Sequence, residues 1–260
     1  MIKALWTSAT GMHAQQMQTN VVANNLANTS TAGFKKSRAN FQDLMYQTIL
    51  IAGATTPGGG QIPTGIQIGM GVKPAGVQKI FTQGDYKQTG NHLDFAIQGE
   101  GFFRVIHGDE ELYTRAGNFT LDSEGYITTP NGDRLQPEIV IPPEAVLLTL
   151  QDNGTLTIHG TGNEILGTEQ ILVTSFINSA GLFATGDNLL RETEGSGPPT
   201  EGIPGEGTLG TVTNNYLEMS NVNVVEEMVA MIVGQRGYEA NSKSIQTADS
   251  MLGLANGLKR

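Results

Sequence analysis

The stretch VVEEMVAMIVGQRGYEANSKSIQTADSML, residues 224–252, carries more oily surface than a lone surface helix can hide. Val224, Met228, Met231, Tyr238, Ile245 and Leu252 fall at alternating spacings of four and three, the seam of a coiled coil. Gln235, Ser242 and Asp249 complete that seam with polar side chains seven apart, which restrict register at a cost in stability. Val225, Val229, Ile232, Met251, Leu254 and Leu258 form a second stripe on another side of the same helix. The other end of the chain behaves alike. At 100° per residue, Leu5, Ala9, Met12, Ala23 and Leu26 share one face of residues 2–27, while Trp6, Ala14, Met17 and Val21 share the opposite one. An ordinary surface helix buries a single stripe. Two helices with two stripes each are expected to pair with each other and to offer their spare faces to other molecules.

The centre reads differently. Gly accounts for 34 of 260 residues and charged residues for only 15%, a profile of many turns and short strands. Residues 53–74, GATTPGGGQIPTGIQIGMGVKP, read as an extended arm or long loop. From about residue 80, β-branched and aromatic runs alternate with turns: GFFRVI, LYTR, NFTLDSEGYITT, and LLTLQDNGTLTIHG with Asp152-Asn153-Gly154 as a hairpin turn. A second soft segment, residues 193–210, leads back to the C-terminal helix. The expected fold class is α+β: long N- and C-terminal helices pairing as a coiled coil, with an inserted, mostly antiparallel β domain and an extended connecting arm. The divisions are 1–30 for the first helix, 31–80 for the arm, 81–208 for the β domain, and 209–260 for the return segment and last helix.

Several functions are excluded on chemical grounds. A net charge of −10 repels nucleic-acid backbones and anionic membranes. Without Cys there is no disulfide, thiol nucleophile or Cys-ligated metal. The early apolar run Ala4–Trp6 is too short for the core of a cleaved signal peptide, and Met228–Val233 is far short of a membrane span. The G-x-G-x-x-G at Gly205, Gly207 and Gly210 follows Pro198, Pro199 and Pro204 and lacks the flanking strand and helix of a dinucleotide site. His13, His92, His107 and His159 are scattered, and Asp109-Glu110-Glu111 reads as a solvated hairpin tip. In AIQGEGFFRV, strand alternation sends Phe102 and Phe103 to opposite sides, with core packing favoured over a partner surface. No catalytic residue, cofactor or metal is expected.

Two dense stretches resemble a known family. ANNLANTSTAGFKK, residues 23–36, is similar to the N-terminal signature of the rod and hook proteins, the axial family of the bacterial flagellum, and residues 217–252 resemble its C-terminal signature. IQGEGFF and YTRAGNFTLDSEGYI resemble the family's central β region. The matching signature positions are Asn24, Asn25, Leu26, Asn28, Gly33, Phe34, Ser220, Asn221 and Val222. FKKSRANFQDLMYQT followed by PTGIQIGMGVKP resembles a rod member that bears an extra segment after its first helix.

The resemblance implies a structural subunit of a drive shaft crossing the periplasm, exported by the flagellar type III apparatus without a cleaved signal. Its partners would be copies of itself in a helical polymer, proximal rod and hook proteins at the ends, and ring proteins as a bushing. Neither nucleic acid nor membrane insertion is implied. Assembly is expected to use helix-face residues: Leu5, Trp6, Met12, Met17, Val21 and Leu26 on the first helix; Val225, Met228, Val229, Met231, Ile232, Tyr238, Ile245 and Leu252 on the last. Tyr46, Pro63, Gly65, Ile66, Ile68 and Gly69 belong to an arm expected to stiffen the shaft. Asn24, Asn25 and Asn28 suit either a local helix cap or bonds to a neighbouring subunit. Within the family the rival is a proximal rod or hook-type axial subunit; an adhesin-like or glycan-binding β protein and a peptidoglycan hydrolase are the rivals from other classes.

Overall fold

The computed structural model describes residues 2–53, 61, 63–162 and 164–257. They form two compact units: the described parts of Met1–Leu26, Ser37–Gln78 and Asn223–Arg260 make a helical unit, and Ala27–Lys36 with Lys79–Val222 make a β unit.

In the helical unit, α1 spans Ile2–Ala27 and α2 spans Val224–Gly257. Asn223 starts α2: its Oδ1 accepts the Val225 amide at 3.0 Å and the Glu226 amide at 3.4 Å, satisfying donors that have no partner in the first turn. Glu226 and Glu227 follow, placed where the helix dipole favours carboxylates. The segment between the helices in this unit is ribbon. Ser37–Asp43 pairs with Val72–Lys79, and Tyr46–Leu50 pairs antiparallel with Ile66–Gly69 in the register Tyr46↔Gly69. Residues 54–60 and 62 of the arm, and Leu258 of the second α2 stripe, lie outside the described residues.

The expected coiled coil is not what the two helices form. The α+β class holds in outline, with two helices and many antiparallel strands, but the helices do not lock apolar knobs into holes. They approach through small and polar residues. A Cβ on Gly11 would stand 3.0 Å from Asn241 Nδ2, one on Gly234 would stand 3.2 Å from Thr19 Oγ1, and one on Gly237 would stand 3.2 Å from Gln15 Cδ. Glu227, Gly234 and Ala248 are the buried positions of α2, while Ala14, Val22 and Asn25 are those of α1. The proposed seam members Met228 and Tyr238 are about half exposed, and Gln235 and Asp249 face solvent, so they set no register between these helices. The physical reason lies at the glycines: with no Cβ there, the side-chain ends of Asn241, Thr19 and Gln15 reach in to fill the gap between the helices, and bulky neighbours such as Met228 and Tyr238 stay about half exposed.

The β unit is built on a seven-stranded antiparallel sheet. Its order is Phe183–Gly186, Leu189–Arg191, Glu110–Thr114, Phe103–His107, Arg134–Gln136, Ile127–Thr128 and Thr120–Leu121. A three-stranded meander, Ala145–Leu150, Thr155–Gly160 and Ile165–Gln170, adds a second layer. Its first turn is the one legible in the sequence: the Gly154 amide donates to Gln151 O at 2.8 Å, and Gly154 takes φ +79°, which a side chain would resist. Alternate residues point inward, so Leu150, Leu156 and Ile158 join Phe95, Ile97, Phe103, Phe119 and Leu135 in one core.

Phe102 and Phe103 are both buried. Phe103 stacks edge-on to Phe119 in that core, and Phe102 turns to a second cluster with Tyr113, Phe176, Leu182 and Leu190. Burial there pushes the Tyr113 phenol up to about 12. Because its folded pKa exceeds the ordinary value of 10.0, its stabilising effect is complete below pH 10 and fades as pH rises through about 12. The G-x-G-x-x-G is a loop, closed by the Gly205 amide on Gly210 O at 3.1 Å.

Candidate assembly surface and its supporting joint

Asn25 shows what the amide-rich end of α1 does. It is 1% exposed, its Nδ2 donates to Ser37 O at 2.9 Å, and its Oδ1 accepts the Ser37 amide at 2.9 Å. The side chain thus imitates a strand partner for the first residue of the ribbon. Nδ2 also donates to Glu227 Oε2 at 3.2 Å, so a single amide joins α1, the ribbon and the first turn of α2. Thr31 Oγ1 donates to Asn28 Oδ1 at 3.2 Å in the turn that follows. Asn24 is exposed.

Inside the β unit the signature residues converge on a buried carboxylate. Glu218 is 1% exposed and accepts from Lys35 Nζ at 2.6 Å, from Arg115 Nε at 2.5 Å and from the Gly84 amide at 2.9 Å. The Arg115 guanidinium is held on every nitrogen: besides Glu218, it donates to the carbonyls of Gly101 at 2.5 Å, Gly99 at 2.6 Å and Ile97 at 2.8 Å, and to Gln83 Oε1 at 3.0 Å. Lys35 Nζ also donates to Thr82 O at 2.7 Å. Burial holds the Lys35 ammonium below its ordinary pKa, against the opposing pull of Glu218. Asn221 sits beside this group, accepting the Lys36 amide at 2.8 Å and donating to Ile80 O at 2.9 Å and to Thr82 O at 3.1 Å.

Gly33 takes φ +69°, and any Cβ on it would press to 2.4 Å from the Ala116 amide nitrogen. Phe34 is half-buried under Lys79 Nζ, 5.3 Å from the ring centroid, and Ser220 and Val222 are buried. Of the charged residues in this group, Lys35, Arg115 and Glu218 were not singled out from the sequence. For Arg115 and Glu218 the only local signal is a lone charge amid uncharged neighbours, as in YLEMSNV, and Lys35, next to Lys36, lacks even that.

The helix faces expected to serve assembly fall into two groups. Trp6, Val225, Met228, Val229, Ile232 and Tyr238 are exposed, with Val233 beside them at 64%. Leu5, Met12, Met17, Val21, Leu26, Met231, Ile245 and Leu252 are half-buried. Val225, Met228, Val229, Ile232 and Val233 thus form an apolar patch on one helix. Contiguous apolar patches of this kind mark contact sites. On the ribbon, Tyr46, Pro63, Gly65, Ile66, Ile68 and Gly69 are all exposed. A lone two-stranded hairpin is marginal in water, so this oily ribbon also calls for cover.

The histidines form no cluster, and among the described residues no group of three or more acidic or His side chains could hold a metal. His107 does have a partner that sequence spacing hid: Nδ1 lies 2.5 Å from Asp133 Oδ1, and that bond raises the imidazole pKa. No described helix is long and apolar enough to cross a membrane.

Comparison with known proteins assigns this architecture to a class. The model of flagella basal body rod proteins matches residues 5–35, the D1 domain of the flagellar hook protein FlgE/F/G matches residues 96–158, and the C-terminal region of the flagellar basal body rod FlgEFG proteins matches residues 213–258. The chain belongs to the flagellar basal-body rod family. Over its full length it is 47% identical to the flagellar basal-body rod protein FlgG of Borreliella burgdorferi, covering 100% of both chains. It is 45% identical to the protein of that name from Caulobacter vibrioides, covering 99% of this chain and 100% of that one. The flagellar hook protein FlgE of Borreliella burgdorferi is 40% identical over only 52% of this chain and 31% of its own length. The protein is therefore a structural rod subunit of the flagellar basal body and not an enzyme.

Proposed function

We propose that this chain builds the distal part of the rod, polymerising helically into a stiff hollow shaft that crosses the periplasm and carries torque to the hook. The observation that carries this reading is the apolar patch of α2, Val225, Met228, Val229, Ile232 and Val233, exposed on a helix whose other side already packs on α1. Covering it with further copies gives heterologous contacts, and such contacts that do not close into a ring produce a helical tube. Full-length likeness to FlgG, set beside the partial likeness to FlgE, favours the rod over the hook. The ends of the shaft meet proximal rod and hook proteins, and the flagellar export apparatus delivers the subunit.

Twenty of the 25 acidic residues but only eight of the 15 basic ones fall in residues 27–36 and 79–222. A β unit so acidic suits a surrounding ring that offers basic side chains, as a bushing would.

Stiffness is assigned to residues 46–73, whose exposed ribbon packs along adjacent subunits and blocks the sliding by which a tube bends. Electron microscopy of the purified protein at high concentration tests both parts. The full chain is expected to give straight tubes, and deletion of residues 50–64 to give curved or polymorphic ones. Straight tubes after the deletion would remove the stiffening role, and soluble monomers from the full chain at every concentration would remove the polymer.

A further inference from the structure

The backbone passes between the two units four times, after residues 26, 36, 78 and 222. Three of these crossings start from residues that bond one another inside the β unit. The Ile80 amide donates to Lys36 O at 2.9 Å, the Lys36 amide donates to Asn221 Oδ1 at 2.8 Å, and Asn221 Nδ2 returns to Ile80 O at 2.9 Å. The remaining crossing feeds Ala27–Lys36, where the Gly33 amide donates to Glu218 O at 2.8 Å. Beneath this ring of bonds lies the Glu218 carboxylate, oriented by Arg115 and Lys35 and bonded to the Gly84 amide.

We infer that Glu218 is the keystone of a joint inside the β unit: a positioning residue that, with Asn221, holds together the roots of three chain crossings and the Ala27–Lys36 loop that the fourth one feeds. Any load that the backbone carries from one unit to the other passes through these four peptide connections. If their roots could shift separately, each connection would be a swivel. Ions make the clamp selective. Arg115 presents its donors in a fixed planar fork, already committed to three carbonyls of residues 97–101, so Glu218 has one position in which both oxygens are satisfied. An apolar contact of equal volume would tolerate several registers.

Hydrogen exchange on the full-length monomer, read by mass spectrometry, separates a joint from an ordinary core residue, and does so whether or not the protein polymerises. Glu218→Gln keeps the shape but leaves the buried Lys35 ammonium and Arg115 guanidinium without their shared counter-ion, a loss on the order of 100-fold in the local opening equilibrium. The amides of Gly33, Lys36, Ile80 and Gly84 are expected to lose protection by that factor, and to lose clearly more than those of Val105, Leu112 and Ile158 in the sheets. Adding Lys35→Met to Glu218→Gln removes one of the two stranded cations, leaving Arg115 with its carbonyl partners, and is expected to restore roughly tenfold of the protection, more than independent effects allow. Should Glu218→Gln alone fail to fold, the double variant carries the same comparison of joint against sheet amides. Uniform loss across joint and sheets, or no loss at the joint, overturns the inference.

Discussion

Ile232→Asp is expected to abolish polymer formation while leaving the β unit folded. Ile232 is 51% exposed in the middle of the α2 patch, so an aspartate there costs the monomer little beyond helix propensity. In the polymer the same carboxylate would be taken out of water against Met228 and Val229, or their counterparts on a neighbour, with no cation of α2 nearer in sequence than Arg236. Burying an unpaired charge costs several kcal/mol, and each ~1.4 kcal/mol raises the concentration needed for assembly about tenfold. The variant should therefore stay monomeric at concentrations on the order of 1,000-fold above those at which the wild type assembles. Sedimentation and electron microscopy read the polymer, and a thermal melt followed by aromatic circular dichroism reads the β unit. Tubes of wild-type yield from Ile232→Asp would show that this face is not covered.

Arg115→Met should have the largest effect on stability. The methionine fills much of the same space yet strands the carbonyls of Ile97, Gly99 and Gly101, and it leaves Lys35 alone to balance Glu218 in a site nearly closed to water. Breaking a buried, hydrogen-bonded charge group costs about 3–5 kcal/mol, which for a unit of this size lowers the melting temperature by roughly 10 °C. Calorimetry on the full chain measures it. Arg191→Met supplies the contrast, since Arg191 meets Glu110 at 3.9 Å on an exposed surface where ion pairs contribute little. Equal melting temperatures for the two variants would mean that the buried group is not holding the unit together.

The sequence was most informative where periodicity is local and misleading where partners are distant. Both terminal helices, the Gly154 turn and the opposed rings of Phe102 and Phe103 were visible in spacing alone. The error lay in the helix pairing. Met228, Tyr238 and their neighbours repeat as a coiled-coil seam would, yet the helices meet where Asn241, Thr19 and Gln15 reach onto Gly11, Gly234 and Gly237 instead. A glycine contributes nothing to a hydrophobic pattern, so the surface it opens for close approach is invisible to periodicity. Apolar residues, for their part, do not state whether they are buried within the chain or against another molecule.

The charged joint was hidden for a different reason. Lys35, Arg115 and Glu218 stand far apart in the sequence, and no spacing rule connects them. The pairing of residues 211–214 with 95–98 and of Tyr216–Glu218 with Tyr86–Gln88 brings them into reach. Asn25 is an intermediate case. The density of amides at the end of α1 marked the place, but whether they would cap the helix or reach another backbone depended on where Ser37 lay.

The chain ends carry oily faces that the monomer leaves in water and the shaft is expected to cover. Radical footprinting of side chains, read by mass spectrometry on monomer and on polymer from one preparation, tests this most directly at Met228 and Trp6, which are 50% and 61% exposed. Both should oxidise readily in the monomer and be strongly shielded in the tube. Equal oxidation of both residues in the two states would contradict it.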